Sequence, residues 1–247
     1  MLNIIKADLY RIFRGKGFYI TTAILILTIV SQHAAMSSPD THSFDIMITI
    51  VVLLMHCMLP FILFVCAADF SSKAVINVLS NGTSRVKYYL SKLILSCAFC
   101  IFVLLLNILS AFIIEITRTD LNYGISMLFT RDIMRPYFAQ MLMCISATCV
   151  GVFFVFFTQK TSASIGAYLA LFMLPYFVFN TIMTIFFDKN HSLNILYNFD
   201  FSYCLATLSH INSWSFADIL RVFVIGAFYL LSSVIGGILL FKRSEIK

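Results

Sequence analysis

Six stretches of this chain carry no Asp, Glu, Lys or Arg: residues 18–35, 46–68, 93–114, 136–159, 161–187 and 222–241. A helix of about 20 residues crosses roughly 30 Å of hydrocarbon, so each stretch has the length and chemistry of a membrane span. Composition agrees. Apolar residues make up 61% of the 247, and charged residues only 11%. A soluble domain carries roughly twice that charged fraction. No polar stretch is long enough to build a separate soluble core. The sequence therefore predicts an all-α membrane protein with six transmembrane helices in one domain, 1–247.

Six spans put both termini on one side, and Lys and Arg identify that side. With the termini inside, the inner segments hold Lys6, Arg11, Arg14, Lys16, Lys73, Arg85, Lys87, Lys92, Lys160, Lys242, Arg243 and Lys247. Only Arg118, Arg131, Arg135, Lys189 and Arg221 remain outside. The net charge of +6 is thus a topology signal. It is not a nucleic-acid footprint, because no basic cluster comes with a soluble fold. The basic start followed by an apolar run has the outline of a signal peptide. The run is too long for that role, and it reads as the first span.

Residues 2–16 read as an amphipathic helix in the membrane interface, with Leu2, Ile5, Leu9, Ile12 and Phe13 on its apolar face and Asp8, Arg11 and Arg14 elsewhere. Pro60 and Pro175 mark expected bends within spans. Segment 190–218, with Trp214, mixes apolar and polar residues and suggests short helices at the outer membrane surface. The small residues of "TSASIGA", from Thr161, suggest close helix packing.

Sites of chemistry are sparse. There is no G-x-x-x-x-G-K-[ST] and no H-E-x-x-H, and the five His are widely spaced. His33 and His56 read as hydrogen-bonded packing residues within spans, and Asn107 and Asn180 as bonds between helices. Cys97 and Cys100 form a C-x-x-C at lipid depth, which reads as packing. The absence of a catalytic cluster argues against an enzyme, and the lack of a charged row argues against an ion channel.

The longest polar stretch between spans is "DFSSKAVINVLSNGTSRVKYYLSK", residues 69–92. Val75, Ile76, Val78 and Leu79 suggest a short helix with one greasy side. Ser71, Ser72, Lys73, Asn77 and Ser80 form its wetter side. Asn81-Gly82 is a helix stop, and Ser84 can cap a helix that runs through Arg85, Lys87 and Lys92 into the third span.

This stretch resembles the first inner loop of permease subunits of type-2, exporter-like ABC transporters, more narrowly the small bacitracin-resistance and lantibiotic-immunity permeases. The resemblance rests on Asp69-Phe70, Asn77-Val78-Leu79, Gly82-Thr83-Ser84-Arg85 and Lys92. The chain departs where it has Lys73-Ala74 in place of Gly-Thr and Ile76 in place of Lys. The resemblance implies a coupling helix that docks on a separate ATPase. The coupling loop would comprise Asp69, Phe70, Ser71, Ser72, Lys73, Asn77, Leu79, Gly82, Ser84 and Arg85. It implies no cofactor in this chain, with ATP and Mg held by the partner ATPase. It implies a second permease subunit, identical or not, and a bacterial cell membrane with both termini cytoplasmic. Lipid is the other partner. The implied function is export of amphipathic or hydrophobic antimicrobial peptides. Alternatives are export of a lipid or glycan precursor, or a sensory ABC module that signals through a partner.

The topology is testable directly. A single Cys placed at position 82 in a Cys-free background is expected to resist an impermeant maleimide in intact cells. Ready labelling there would reverse the orientation.

Overall fold

The computed structural model describes residues 1–36, 43–72, 74–118, 131–186, 201, 204 and 215–243. Among these, every regular element is helical. In chain order they are α1 (Leu2–Arg14), α2 (Lys16–Met36), α3 (Ser43–Cys57), α4 (Leu59–Ile62), a π-helical turn (Leu63–Ala67), α5 (Ala68–Ser71), α6 (Ala74–Ser80), α7 (Arg85–Arg118), α8 (Arg131–Thr158), α9 (Thr161–Phe186) and α10 (Phe216–Arg243).

Five segments are long and apolar enough to cross a membrane: Lys16–Ala35, Ser43–Phe70, Arg85–Arg118, Ile133–Thr158 and Phe216–Arg243. The chain is thus built as a multi-pass membrane protein. α9 is a helix of 26 residues, and its described apolar stretch is Thr161–Pro175. The spans do not share burial equally. Ser43–Phe70 and Ile133–Thr158 are 56% and 61% buried, against 22% to 33% for Lys16–Ala35, Arg85–Arg118 and Phe216–Arg243. The first two therefore form the centre, and the other three offer apolar sides such as Leu27, Leu105, Leu109, Leu231 and Leu239 outward.

Lipid tails are as apolar as Leu, so helix association in a membrane relies on packing and on hydrogen bonds between helices. Here side chains repeatedly reach a neighbouring helix's carbonyl. Asn107 donates to Met47 (3.1 Å), Gln140 to Ile48 (3.2 Å), Tyr137 to Leu104 (2.8 Å) and Tyr168 to Met55 (3.0 Å). Tyr89 donates to Ser233 (3.2 Å) and Ser146 to Gly226 (2.7 Å). Each such bond contributes about 0.6 kcal/mol in a membrane.

The second span is interrupted where a bend is expected. Helix α3 stops at Cys57, and Pro60 lies in the first turn of α4. There its missing N–H leaves the His56 carbonyl without its usual partner. The π-turn follows at once. Pro175, by contrast, lies inside the unbroken α9.

Other expectations have mixed outcomes. His56 Nδ1 meets the Val52 carbonyl at 3.1 Å. His33 is buried with neither ring nitrogen bonded, so it is not the hydrogen-bonded residue its position suggested. In "TSASIGA", Ser164 alone is buried, while Thr161, Ser162, Ala163 and Gly166 are exposed. Within this chain that stretch starts α9 with Ser164 turned into the core and most of its other small residues turned outward. The Cys97 sulfur lies 3.7 Å from Cys149 on α8, across helices rather than along the C-x-x-C. Of segment 190–218, only Phe201, Cys204 and 215–218 fall within the described residues, and Trp214 and Asn180's side chain fall outside them.

Helices α8 and α10 form the most extensive pair, and α10 also meets α7 at Gly237. A Cβ at Gly237 would collide with the hydroxyl end of Tyr89, with Cε2 at 2.9 Å and Cζ and the hydroxyl oxygen closer still. Gly237→Ala should therefore displace Tyr89 and break its bond to Ser233. We expect a loss of about 1–3 kcal/mol, read as a lower melting temperature in detergent. Gly166→Ala, with open space around it, should leave that temperature unchanged.

Candidate functional site

At one end of the bundle, three distant parts of the chain meet through buried charges. α1 supplies Asp8 and Arg11, α5 supplies Asp69, and α7 supplies Tyr88 and Lys92. Lys92 is wholly buried. Its ammonium lies 2.7 Å from Asp8 Oδ2 and 2.5 Å from Asp69 Oδ2. Arg11 bonds Asp69 Oδ1 through one guanidinium nitrogen and sits 3.3 Å from Asp8 through another. The Tyr88 hydroxyl donates to Asp69 Oδ2 at 2.5 Å, and the Lys92 ammonium also lies over the Tyr88 ring.

Two acids and two bases make the cluster neutral. That matters because an unpaired ion at this depth costs several kcal/mol, whereas a balanced, fully bonded set is tolerated. Burial pushes the Asp8 carboxyl above its ordinary range, with Lys92 pulling the other way. Burial would lower the Arg11 pKa, but the Asp69 carboxylate outweighs it and the net shift is upward.

The cluster revises the reading of α1. Ile4, Ile5, Asp8, Leu9 and Ile12 face the bundle, at i, i+1, i+4, i+5 and i+8. Leu2 and Phe13, grouped by spacing with Ile5, Leu9 and Ile12 on one apolar face, lie off this inward face and are exposed. Apolar periodicity missed the inward face because an acid lies at its centre. The signal was available: Asp69 directly follows one uncharged stretch and Lys92 directly precedes another. Charges at such edges need partners.

Beside the ions lies an aromatic hub. Phe156 near the end of α8 contacts Phe70 (5.2 Å), Tyr89 (5.0 Å) and Phe241 (4.8 Å), mostly edge to face. It joins α5, α7, α8 and α10.

The short helix α6 hangs from this base. Val75 is buried, and Val78 and Leu79 are half-buried against the core. Ile76 is exposed with Asn77 and Ser80, so it belongs to the outer face rather than the greasy one. Seven residues allow only one inward stripe, and 75, 78 and 79 fill it. Gly82 ends the turn in the left-handed region, at φ +83°. Its N–H bonds the Leu79 carbonyl (3.1 Å). Ser84 Oγ accepts the Lys87 N–H at 3.4 Å and caps α7.

The ten expected coupling residues therefore divide. Asn77, Gly82, Ser72 and Ser84 are exposed. Asp69 is an internal ion and Phe70 an aromatic contact. Arg85 donates to the carbonyls of Phe241 and Lys242 and ties down the end of α10. Leu79 is half-buried. Lys73 and the Ser71 side chain lie outside the described residues. Among the described residues no three His, Cys, Asp or Glu converge as metal ligands.

No protein-family model matches this chain, and no curated protein is similar to it by sequence.

The cluster makes unequal demands on its members. Lys92→Met leaves two carboxylates facing each other and should destabilise the protein by about 3–5 kcal/mol. Arg11→Gln, at a half-exposed position, should cost about 1 kcal/mol. Thermal unfolding in detergent separates them, and equal losses would show that the buried lysine does not organise the base.

Proposed function

We propose that this chain is the membrane permease subunit of an ABC exporter, with six spans and both termini in the cytoplasm. α6 is its coupling helix, and a separate ATPase subunit binds ATP and Mg and hydrolyses the nucleotide. The supporting observation is the construction of α6. A helix of seven residues would not persist alone in water. This one has a packed inner stripe and a glycine stop, and it is flanked by α5 and α7, whose charges are joined by the buried cluster. Its outer face, Ile76, Asn77 and Ser80, is small, with a single apolar side chain. Such a face suits a groove in another protein. A push on α6 would pass to α5 and α7 together, and so to the central second span and the long third one.

α1 fits the interfacial helix of this arrangement. One side of it packs on the bundle, Leu2 and Phe13 offer apolar surface, and Asn3 and Arg14 remain for water. Six spans are too few to enclose a path alone, so two permeases, identical or not, form the conduit in a bacterial cell membrane. The cargo is an amphipathic or hydrophobic antimicrobial peptide, a reading that follows the family resemblance of residues 69–92.

Leu79 is a poor probe, because an acid there would disturb the packing beneath α6. Ile76→Asp with Asn77→Asp changes only the outer face. We expect this variant to insert and melt like the parent, yet bind its ATPase at least about tenfold more weakly, since charges would be buried in the groove. Co-purification and ATP hydrolysis measure this; the permease alone should hydrolyse none. If the variant associates and couples like the parent, α6 is not the transmission element.

A further inference from the structure

A cleft of about 170 Å³ opens where α1 turns into α2, lined by Arg11, Ile12, Gly15, Gly17, Phe18, Phe64 and Ala68. Two glycines keep it open: a Cβ at Gly17 would meet Phe64 at 3.0 Å, and one at Gly15 would meet the Ile12 carbonyl at 3.3 Å. Phe18 and Phe64 make its deeper wall apolar. Beside the cleft, though not in its lining, stand cations: Arg14 and Lys16 flank the lining residue Gly15 and are exposed, as is Lys6 two turns earlier, with the Arg14 guanidinium now resting on Tyr10 (3.3 Å to its hydroxyl). No acid occupies the last turn of α1 or the first turn of α2, and the two nearby carboxylates, Asp8 and Asp69, are already neutralised by Lys92 and Arg11.

We propose that this elbow is a binding site for an anionic phospholipid, with the headgroup phosphate at Arg14 and Lys16 and the start of an acyl chain in the cleft against Phe18 and Phe64. The exposed charge beside the cleft selects the occupant. A zwitterionic lipid satisfies the apolar wall equally well but gains little from two cations. An anionic one gains from both, and each basic residue at a membrane surface contributes measurably to that attraction. A long basic side chain laid along apolar surface with its charge at headgroup level suits this position. A lipid held here would touch α1, α2 and the π-turn of the second span, and so brace the side of the charge cluster that Arg11 closes.

The test is native mass spectrometry of the purified full chain in detergent, with phosphatidylglycerol or phosphatidylcholine of identical acyl chains. The parent should retain phosphatidylglycerol about tenfold better. Arg14→Gln with Lys16→Gln should abolish the preference. Gly17→Leu, which fills the cleft but keeps both charges, should also reduce retention of phosphatidylglycerol. Lys87→Gln with Lys242→Gln removes two exposed cations beside the start of α7 and the end of α10, and it should retain the lipid like the parent. Unchanged retention by the Arg14/Lys16 variant overturns the site. So does an equal loss in the Lys87/Lys242 variant, which would mean diffuse attraction to any basic surface.

Discussion

The base of this protein is organised by the need to neutralise one lysine. Lys92 is enclosed by protein, and water cannot solvate it. It therefore has to recruit carboxylates from wherever the chain can supply them, and it takes Asp8 from the first helix and Asp69 from the end of the second span. Arg11 and Tyr88 complete the remaining bonds. Sequence separations of 84 and 23 residues are closed by this one demand. The helices at that end have little freedom to settle elsewhere, because every alternative leaves an ion unpaired. The aromatic hub around Phe156 then packs what the ions have placed.

Within the membrane the same logic works with weaker groups. Asn107, Gln140, Tyr137 and Tyr168 fix neighbouring helices by reaching their carbonyls, so polar side chains replace the hydrophobic drive that lipid removes. Helix α7 shows how the two regimes meet. Lys92 lies near one end and Glu115 near the other, where it accepts the Ser43 N–H at 2.8 Å and completes the start of α3. The 23 helical steps from one to the other rise about 34 Å, close to the thickness of a bilayer core. Both buried ions stand near a membrane boundary, and the stretch between them is apolar except for amides and hydroxyls.

Much of this was legible in the sequence. Uncharged stretches located the helices, because nothing else in water or lipid accommodates them. Gly82 and Ser84 marked the end of α6 and the start of α7 because their backbone chemistry is local. What failed depended on partners. The inward face of α1 contains Asp8, and an apolar count treats an acid as outward. Ile76 looked greasy, but a helix of two turns has room for one stripe only. His33 looked like a hydrogen-bonded residue, and the structure buries it with neither ring nitrogen bonded. For Asp8 the deciding contact came from a segment far away in sequence.

The π-turn at Leu63–Ala67 has a geometric consequence. One extra residue in a turn delays the helix by about 100° of phase. Downstream of it, each side chain stands where its predecessor would stand in an unbroken α-helix. If the turn relaxed to α geometry, Ala68 would occupy the direction now held by Asp69, and the carboxylate would swing away from Lys92. A single residue's worth of winding, near the end of a greasy segment, therefore decides whether the ions below can meet.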